Sequence, residues 1–172
     1  MKLGIISDTH ITSNSDKKQV VSLLNQLKKA FKDVDKIIHA GDVSERFFLE
    51  ELENIAPIIC VRGNVDEIEE LENFAKFSAG RYNIGVIHII PEDLEDFVKR
   101  HDLDIIISGH THIPLIKGTT FNTLLLNPGS PTKPKKPPQK SGFLKPVARP
   151  SIITLNVDEN DVTSTFIITL KL

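Results

Sequence analysis

The chain has one cysteine, Cys60, among its 172 residues, no tryptophan and a single tyrosine. One thiol excludes an intramolecular disulfide and any thiolate-rich zinc or iron–sulfur site. Set in the apolar run PIICV, Cys60 reads as a small core residue. Aromatics make up only 6% of the chain, which leaves little for stacking on nucleic-acid bases. No apolar run nears the roughly 20 residues of a membrane span. The start, MKLGIISDTH, reaches Ser7 and Asp8 too soon to hold a signal-peptide core. The expectation is a cytoplasmic protein with neither a membrane segment nor a membrane partner. A formal net charge of −2 gives no global attraction to nucleic acid or anionic membrane, a local basic patch aside.

What the chain does have is short, buried-looking strands. KLGII (2–6), KIIHA (36–40), PIICV (57–61), IGVIHII (84–90) and DIIIS (104–108) are Ile/Val-rich and nearly continuous, as strands covered on both faces are. Helical periodicity separates them. Residues 16–31 put Val20, Leu23, Leu24, Leu27 and Phe31 on one face. Residues 44–55 start at Ser44, an N-cap type, and turn Phe48, Leu52 and Ile55 inward. Residues 91–101 have Pro91 in the first turn and Leu94, Phe97 and Val98 as a stripe. A weaker helical pattern covers 66–74, which reads equally as mostly loop.

Strand–helix alternation predicts an α/β fold with a largely parallel sheet. The tail differs: 77–86, 114–127 and 151–170 read as hairpins. A second, antiparallel sheet stacked on the first is expected, giving a four-layer α/β/β/α sandwich of two stacked mixed sheets flanked by helices. One domain spans residues 1–172. Its oddest segment is the Lys/Pro-rich loop at 131–150, with six prolines, five lysines, Arg149 and no acid. It reads as a solvated loop or a cationic flap over an anionic substrate.

Polar residues follow each apolar run. Asp8 and His10 come after the first, Asp42 after the second, Asn64 after the third, and His110 and His112 after the last, with His88 inside the fourth in chain order. Ligands of α/β sheets bind beyond such carboxyl ends. In extended backbone, side chains two residues apart share a face, so Asp8 with His10, and His110 with His112, each aim into one cavity. Gly41, Gly63 and Gly109 directly precede candidate ligands, where a bend without a Cβ is useful. Seven carboxylate, amide and imidazole ligands without thiolate suit two divalent ions such as Mn²⁺, Ni²⁺, Co²⁺, Fe²⁺ or Zn²⁺ rather than one structural zinc.

In order, SDTH, GD, GN, H and GHTH resemble the signature of calcineurin-like metallophosphoesterases. GNVD, NPGS (127–130) and the short length are similar to the small YfcE-like phosphodiesterase branch. The resemblance implies a dinuclear site, with Asp8, His10 and His112 on one ion, Asn64, His88 and His110 on the other, and Asp42 bridging. Asp42, Asn64 and His110 take its catalytic positions, and a metal-bridging hydroxide attacks phosphorus in line. Manganese is the expected metal and a small phosphodiester the expected substrate; no substrate-binding residue is identified.

Two departures stand out. Val65 occupies the place of a family histidine that protonates the leaving group, and His88 is followed by Ile89–Ile90 rather than Gly–His. The first favours diesters over monoesters, and the second bears on substrate contacts and rate. Asp66 is expected to support a ligand from behind, His39 to sit in the core or behind the site, and His101 to lie on the surface at a helix end. Arg62 reads as either a phosphate contact or a salt-bridge partner. A catalytically inactive scaffold, resembling the smallest retromer subunit, is the main alternative. A nuclease ranks below it, because only the 133–149 loop offers a basic groove. A homo-oligomer is compatible with the sequence.

Overall fold

A computed structural model describes Met1–Leu172. Two five-stranded mixed sheets stack face to face. The strands are β1 (Lys2–Ile6), β2 (Lys36–His39), β3 (Ile58–Cys60), β4 (Phe74–Ala79), β5 (Tyr82–Ile87), β6 (Ile105–Ile107), β7 (Pro114–Gly118), β8 (Leu124–Pro128), β9 (Ser151–Val157) and β10 (Thr163–Thr169). The first sheet runs β10-β9-β1-β2-β3 and the second β4-β5-β6-β8-β7. Within the first, β1, β2 and β3 are parallel, while β9 and β10 are antiparallel additions. In the second, β5, β6 and β8 are parallel, and β4 and β7 are antiparallel edges.

This division corrects one sequence expectation. The five apolar runs do not share a sheet, and the tail hairpins do not form a sheet of their own. Each sheet combines strands from the runs with strands from the hairpins, and one hairpin strand, β8, lies parallel to β6. A strand buried on both faces reads the same whichever sheet owns it.

Three apolar layers hold the sandwich. Between the sheets lie Leu3, Ile5, Ile38, Ile84, Val86, Ile105, Ile107, Leu126, Ile153 and Leu155. On the outer face of the first sheet, α1 (Lys17–Ala30) and α2 (Arg46–Glu53) press Leu23, Leu27, Phe48 and Leu52 onto Ile6, Ile37 and Ile152. On the outer face of the second, α3 (Leu94–His101) packs Val98 on Ile106 and Leu125. Burying each such side chain is worth about 1.5–3 kcal/mol.

Helix starts follow side-chain capping where a carboxylate is available. Asp16 accepts the Gln19 N–H at 3.0 Å and Asp93 that of Asp96 at 3.0 Å. Asp93, not Pro91, therefore opens α3. Ser44 does not cap α2, which begins at Arg46 behind Glu45. Ser44 instead has φ 78° and gives its N–H to Asp66. No helix forms over 66–74, where the chain turns into β4. Residues 131–150 carry no helix or strand. No helix is long and apolar enough to cross a membrane.

Candidate metal centre

All seven sequence-predicted residues meet where the carboxyl ends of the parallel strands in both sheets converge. Asp8 and His10 follow β1, Asp42 follows β2, and Asn64 follows β3. His88 follows β5, and His110 and His112 follow β6. Loop-to-loop backbone bonds hold these turns together: Asp8 N–H to Gly41 O, His10 N–H to Asp42 O, and Gly109 N–H to His88 O, each 3.0 Å.

Two groups form around one carboxylate. In the first, His112 Nε2 stands 3.3 Å from Asp8 Oδ1 and 3.3 Å from His10 Nε2. In the second, Asn64 Oδ1 stands 3.0 Å from both His88 Nε2 and His110 Nδ1. Asp42 Oδ2 lies between the groups, 3.6 Å from His10 Nε2 and 3.4 Å from His88 Nε2. Asp8, His10, Asp42 and His112 each offer a ligand atom within 4.8 Å of the others.

The donor chemistry fits a cation. His88 Nδ1–H donates to Ala40 O and His112 Nδ1–H to Lys133 O, both at 2.7 Å. In the neutral ring each Nε2 then presents a lone pair to a carboxylate oxygen. Two acceptors at such distances need a proton or a metal ion between them. The carbonyls behind the rings also fix their orientation, as is usual for metal-binding histidines.

Charge is set by depth and by neighbours. Burial raises the Asp8 carboxyl, against Ser7 and the His88 and His112 rings. Burial pushes Asp42 up as well, but the His88 hydrogen bond, the Val65 N–H and the nearby rings outweigh it and leave Asp42 at about 2. His88 moves the other way: burial disfavours its charge, yet Asp42 and the Ala40 carbonyl raise it. Burial, with Lys133 nearby, lowers His10.

The backbone corrects the reason given for convergence. Asp8, His10, Asp42, His110 and His112 have φ of 54°, 46°, 57°, 68° and 60°, in the left-handed region rather than extended. Each such residue costs roughly 1–2 kcal/mol, least for Asp and Asn. Strain of this kind collects at functional sites. Close approach governs two of the glycines. A Cβ on Gly63 would stand 2.1 Å from Asp42 Oδ1, and one on Gly109 would stand 2.0 Å from Ser7 Oγ.

The supporting residues fall partly outside expectation. Asp66 accepts the N–H groups of Asp42, Ser44 and Gly63 at 2.9, 2.7 and 2.8 Å. His39 is fully buried and bonded to Thr9 Oγ1 at 3.0 Å. Arg62 forms no salt bridge; its Nη2 donates to the Ile68 and Glu69 carbonyls. His101 packs between Phe74 and Phe97, with ring centroids 4.7 and 4.5 Å away, rather than standing free on the surface.

Sequence reading missed the residues that hold the loops. Asn127 Nδ2 donates to Gly109 O at 2.7 Å. Ser130 Oγ donates to Asp8 O at 2.7 Å and Thr132 Oγ1 to Thr9 O at 2.7 Å. Only the NPGS string pointed to Asn127 and Ser130, and nothing pointed to Thr132. The start of the Lys/Pro loop is thereby stitched to the site, with Lys135 N–H on His112 O at 3.0 Å. Val65 and Ile89 are each 47% exposed beside Asn64 and His88. A cleft of about 310 Å³ opens there between Arg62, Asn64, Asn73, His88 and Ile89. A larger cleft, about 510 Å³, includes Tyr82, Ile105 and Leu124, at the opposite ends of β5, β6 and β8, and shares no residue with the cluster.

Residues 1–147 match the calcineurin-like phosphoesterase superfamily domain. The chain is 34% identical over 166 residues to a protein of Methanothermobacter thermautotrophicus named "Probable metallophosphoesterase", covering 92% of this chain and 87% of that protein. It is 29% identical over 145 residues to a phosphodiesterase of Methanocaldococcus jannaschii, covering 75% and 83%. A zinc complex of Vps29 from Entamoeba histolytica shares the fold, with a TM-score of 0.71 at 23% identity over 98% of this chain and 99% of that one.

Proposed function

The chain belongs to the calcineurin-like phosphoesterase superfamily, and from that premise we propose that it is a cytoplasmic, metal-dependent phosphodiesterase acting on a small diester. The observation that carries the reading is the position of Asp42, whose Oδ2 lies 3.6 Å from His10 and 3.4 Å from His88. One carboxylate thus serves two ligand groups. In this reading Asp8, His10 and His112 would hold one divalent ion, Asn64, His88 and His110 would hold a second, and Asp42 would serve both. Mn²⁺ is the proposed metal. Such ions activate water and neutralise charge developing on phosphoryl oxygens.

The chain's own residues do the rest. The Ala40 and Lys133 carbonyls keep His88 and His112 in the tautomer that presents Nε2. A low Asp42 pKa, about 2, keeps the bridging group anionic at neutral pH. Asn64 and His110 stand at the exposed side of the cluster, where substrate arrives. Val65 cannot donate a proton, so departure of a poor leaving group is unassisted. This supports diesters with acidic alcohols over monoesters. The proposed unit of function is the whole chain as one domain.

A second reading, an inactive metal-binding scaffold, draws on the Vps29 fold likeness. Hydrolysis of bis(p-nitrophenyl) phosphate by metal-stripped protein resupplied with Mn²⁺, beside Asp42→Asn, separates the two. Manganese-dependent turnover lost in the variant supports the enzyme. Folded protein without turnover under Mn²⁺, Ni²⁺, Co²⁺ or Zn²⁺ supports the scaffold.

A further inference from the structure

The charge of this chain is unevenly placed. Between Asp104 and Asp158 there is no carboxylate side chain, while Lys117, Lys133, Lys135, Lys136, Lys140, Lys145 and Arg149 lie in that stretch. The stretch carries +7 in a chain of formal net charge −2, so the remainder carries −9. Four of the cations and the most exposed apolar side chains share one segment. Phe143 is 73% exposed, Leu144 95% and Val147 68%, flanked by Lys136, Lys140, Lys145 and Arg149. None of these four cations has a carboxylate within salt-bridge distance.

Neither feature is explained by folding. An exposed Phe–Leu pair gains nothing from water, and no strand or helix forms here that would bury it. Six prolines keep residues 131–150 out of regular structure, so the apolar tips project from a segment of extended or turned backbone. Its two ends are fixed: Ser130 is bonded to Asp8 O, and Ser151 Oγ to Pro128 O at 2.7 Å. The segment is a projecting loop with basic flanks and an apolar apex.

We propose that residues 140–149 dock on an anionic lipid surface, with Phe143, Leu144 and Val147 entering the interface and Lys140, Lys145 and Arg149 meeting lipid phosphates. Basic residues are drawn to anionic headgroups, and aliphatic and aromatic side chains gain by leaving water at the acyl boundary. Nucleic acid matches the charge but not the apex, because bases stack on aromatic rings and two of the three apolar groups here are aliphatic. The acidic remainder of the chain is repelled by the same surface, which orients the molecule loop-first. Docking of this kind does not depend on which reaction the metal centre performs.

The test is flotation of the full-length protein with vesicles of phosphatidylcholine containing 30% phosphatidylglycerol, against pure phosphatidylcholine, at low and high salt. Two variants accompany it: Phe143→Ser/Leu144→Ser, and Lys140→Gln/Lys145→Gln/Arg149→Gln. Melting temperature serves as the control for folding. The expected result is binding to anionic vesicles only, weakened by salt, and reduced about tenfold or more in each variant with melting unchanged. Absence of vesicle binding by the parent protein overturns the proposal. So does binding that survives loss of Phe143 and Leu144, which is plain charge adhesion. Tighter binding to single-stranded oligonucleotide than to vesicles also overturns it. Concentration-dependent self-association abolished by the Phe143/Leu144 variant, without vesicle binding, would assign the apex to a second copy of the chain instead.

Discussion

The carboxylate of Asp66 accepts the backbone N–H of Asp42 at 2.9 Å, and the same oxygen accepts that of Gly63 at 2.8 Å. Its other oxygen takes the N–H of Ser44 at 2.7 Å. One side chain therefore ties the turn after β2 to the turn after β3. Asp66→Asn removes the charge and at least one accepted bond. Hydrogen bonds to a charged group are worth about 1.5–3 kcal/mol each. Urea unfolding of the variant is expected to show a loss of about 2–4 kcal/mol, with weaker manganese binding because Asp42 is no longer held.

Gly63→Ala places a methyl 2.1 Å from both the backbone N and Oδ1 of Asp42. The contact is with a backbone atom, so the strain cannot be relieved by a rotamer. Calorimetric titration with Mn²⁺ is expected to show at least about tenfold weaker binding, in the range seen when supports of metal ligands are removed. Parent-like affinity would mean that the turn after β3 can move as a body.

His39 makes stability pH-dependent. Burial, reinforced by the nearby His88 charge, lowers its pKa from 6.5 to about 3. The unfolded chain then binds a proton between those values that the folded chain does not. The stabilising contribution is complete above pH 6.5 and is lost as pH falls toward 3, at up to roughly 1.4 kcal/mol per pH unit. His39→Gln should flatten this slope. Denaturant unfolding of both proteins between pH 7 and 5 checks it, and parallel curves would rule His39 out.

Val65 is 47% exposed next to Asn64, with no proton to give. Val65→His is expected to accelerate substrates with poor leaving groups by about 10²-fold, the lower end of general-acid effects. p-Nitrophenyl esters, whose leaving group needs no proton, should change little. The comparison is phenyl against p-nitrophenyl esters of one phosphate; equal gains on both would point to binding rather than protonation.

The ordered polar residues were legible because all but His88 follow short Ile/Val runs of strand length, and His88 lies within one. Metal-type donors at successive strand ends leave few other readings. Ownership of those strands was not legible, since Ile37 and Ile106 are both fully buried beneath helices although they belong to different sheets. The spacing of Asp8 and His10 suggested extended backbone, but φ values of 54° and 46° deliver the convergence instead. Beyond the NPGS string that holds Ser130, neither Ser130 nor Thr132 carried a signal, because their partners are carbonyls 122 and 123 residues away. Hydroxyl groups have no periodicity by which to announce such bonds.

The seam between the sheets has a consequence for how the protein comes into being. Each ligand group draws from both sheets: Asp8 and His10 with His112, and Asn64 with His88 and His110. A chain emerging from its synthesis can complete β1, α1, β2 and α2 and still possess neither group. Both wait for the second sheet to close over the first, and the Asp8 side waits until His112 has appeared. Loading of either group would thus wait for His110 and His112, and a half-made chain would have no complete centre in which to trap an ion.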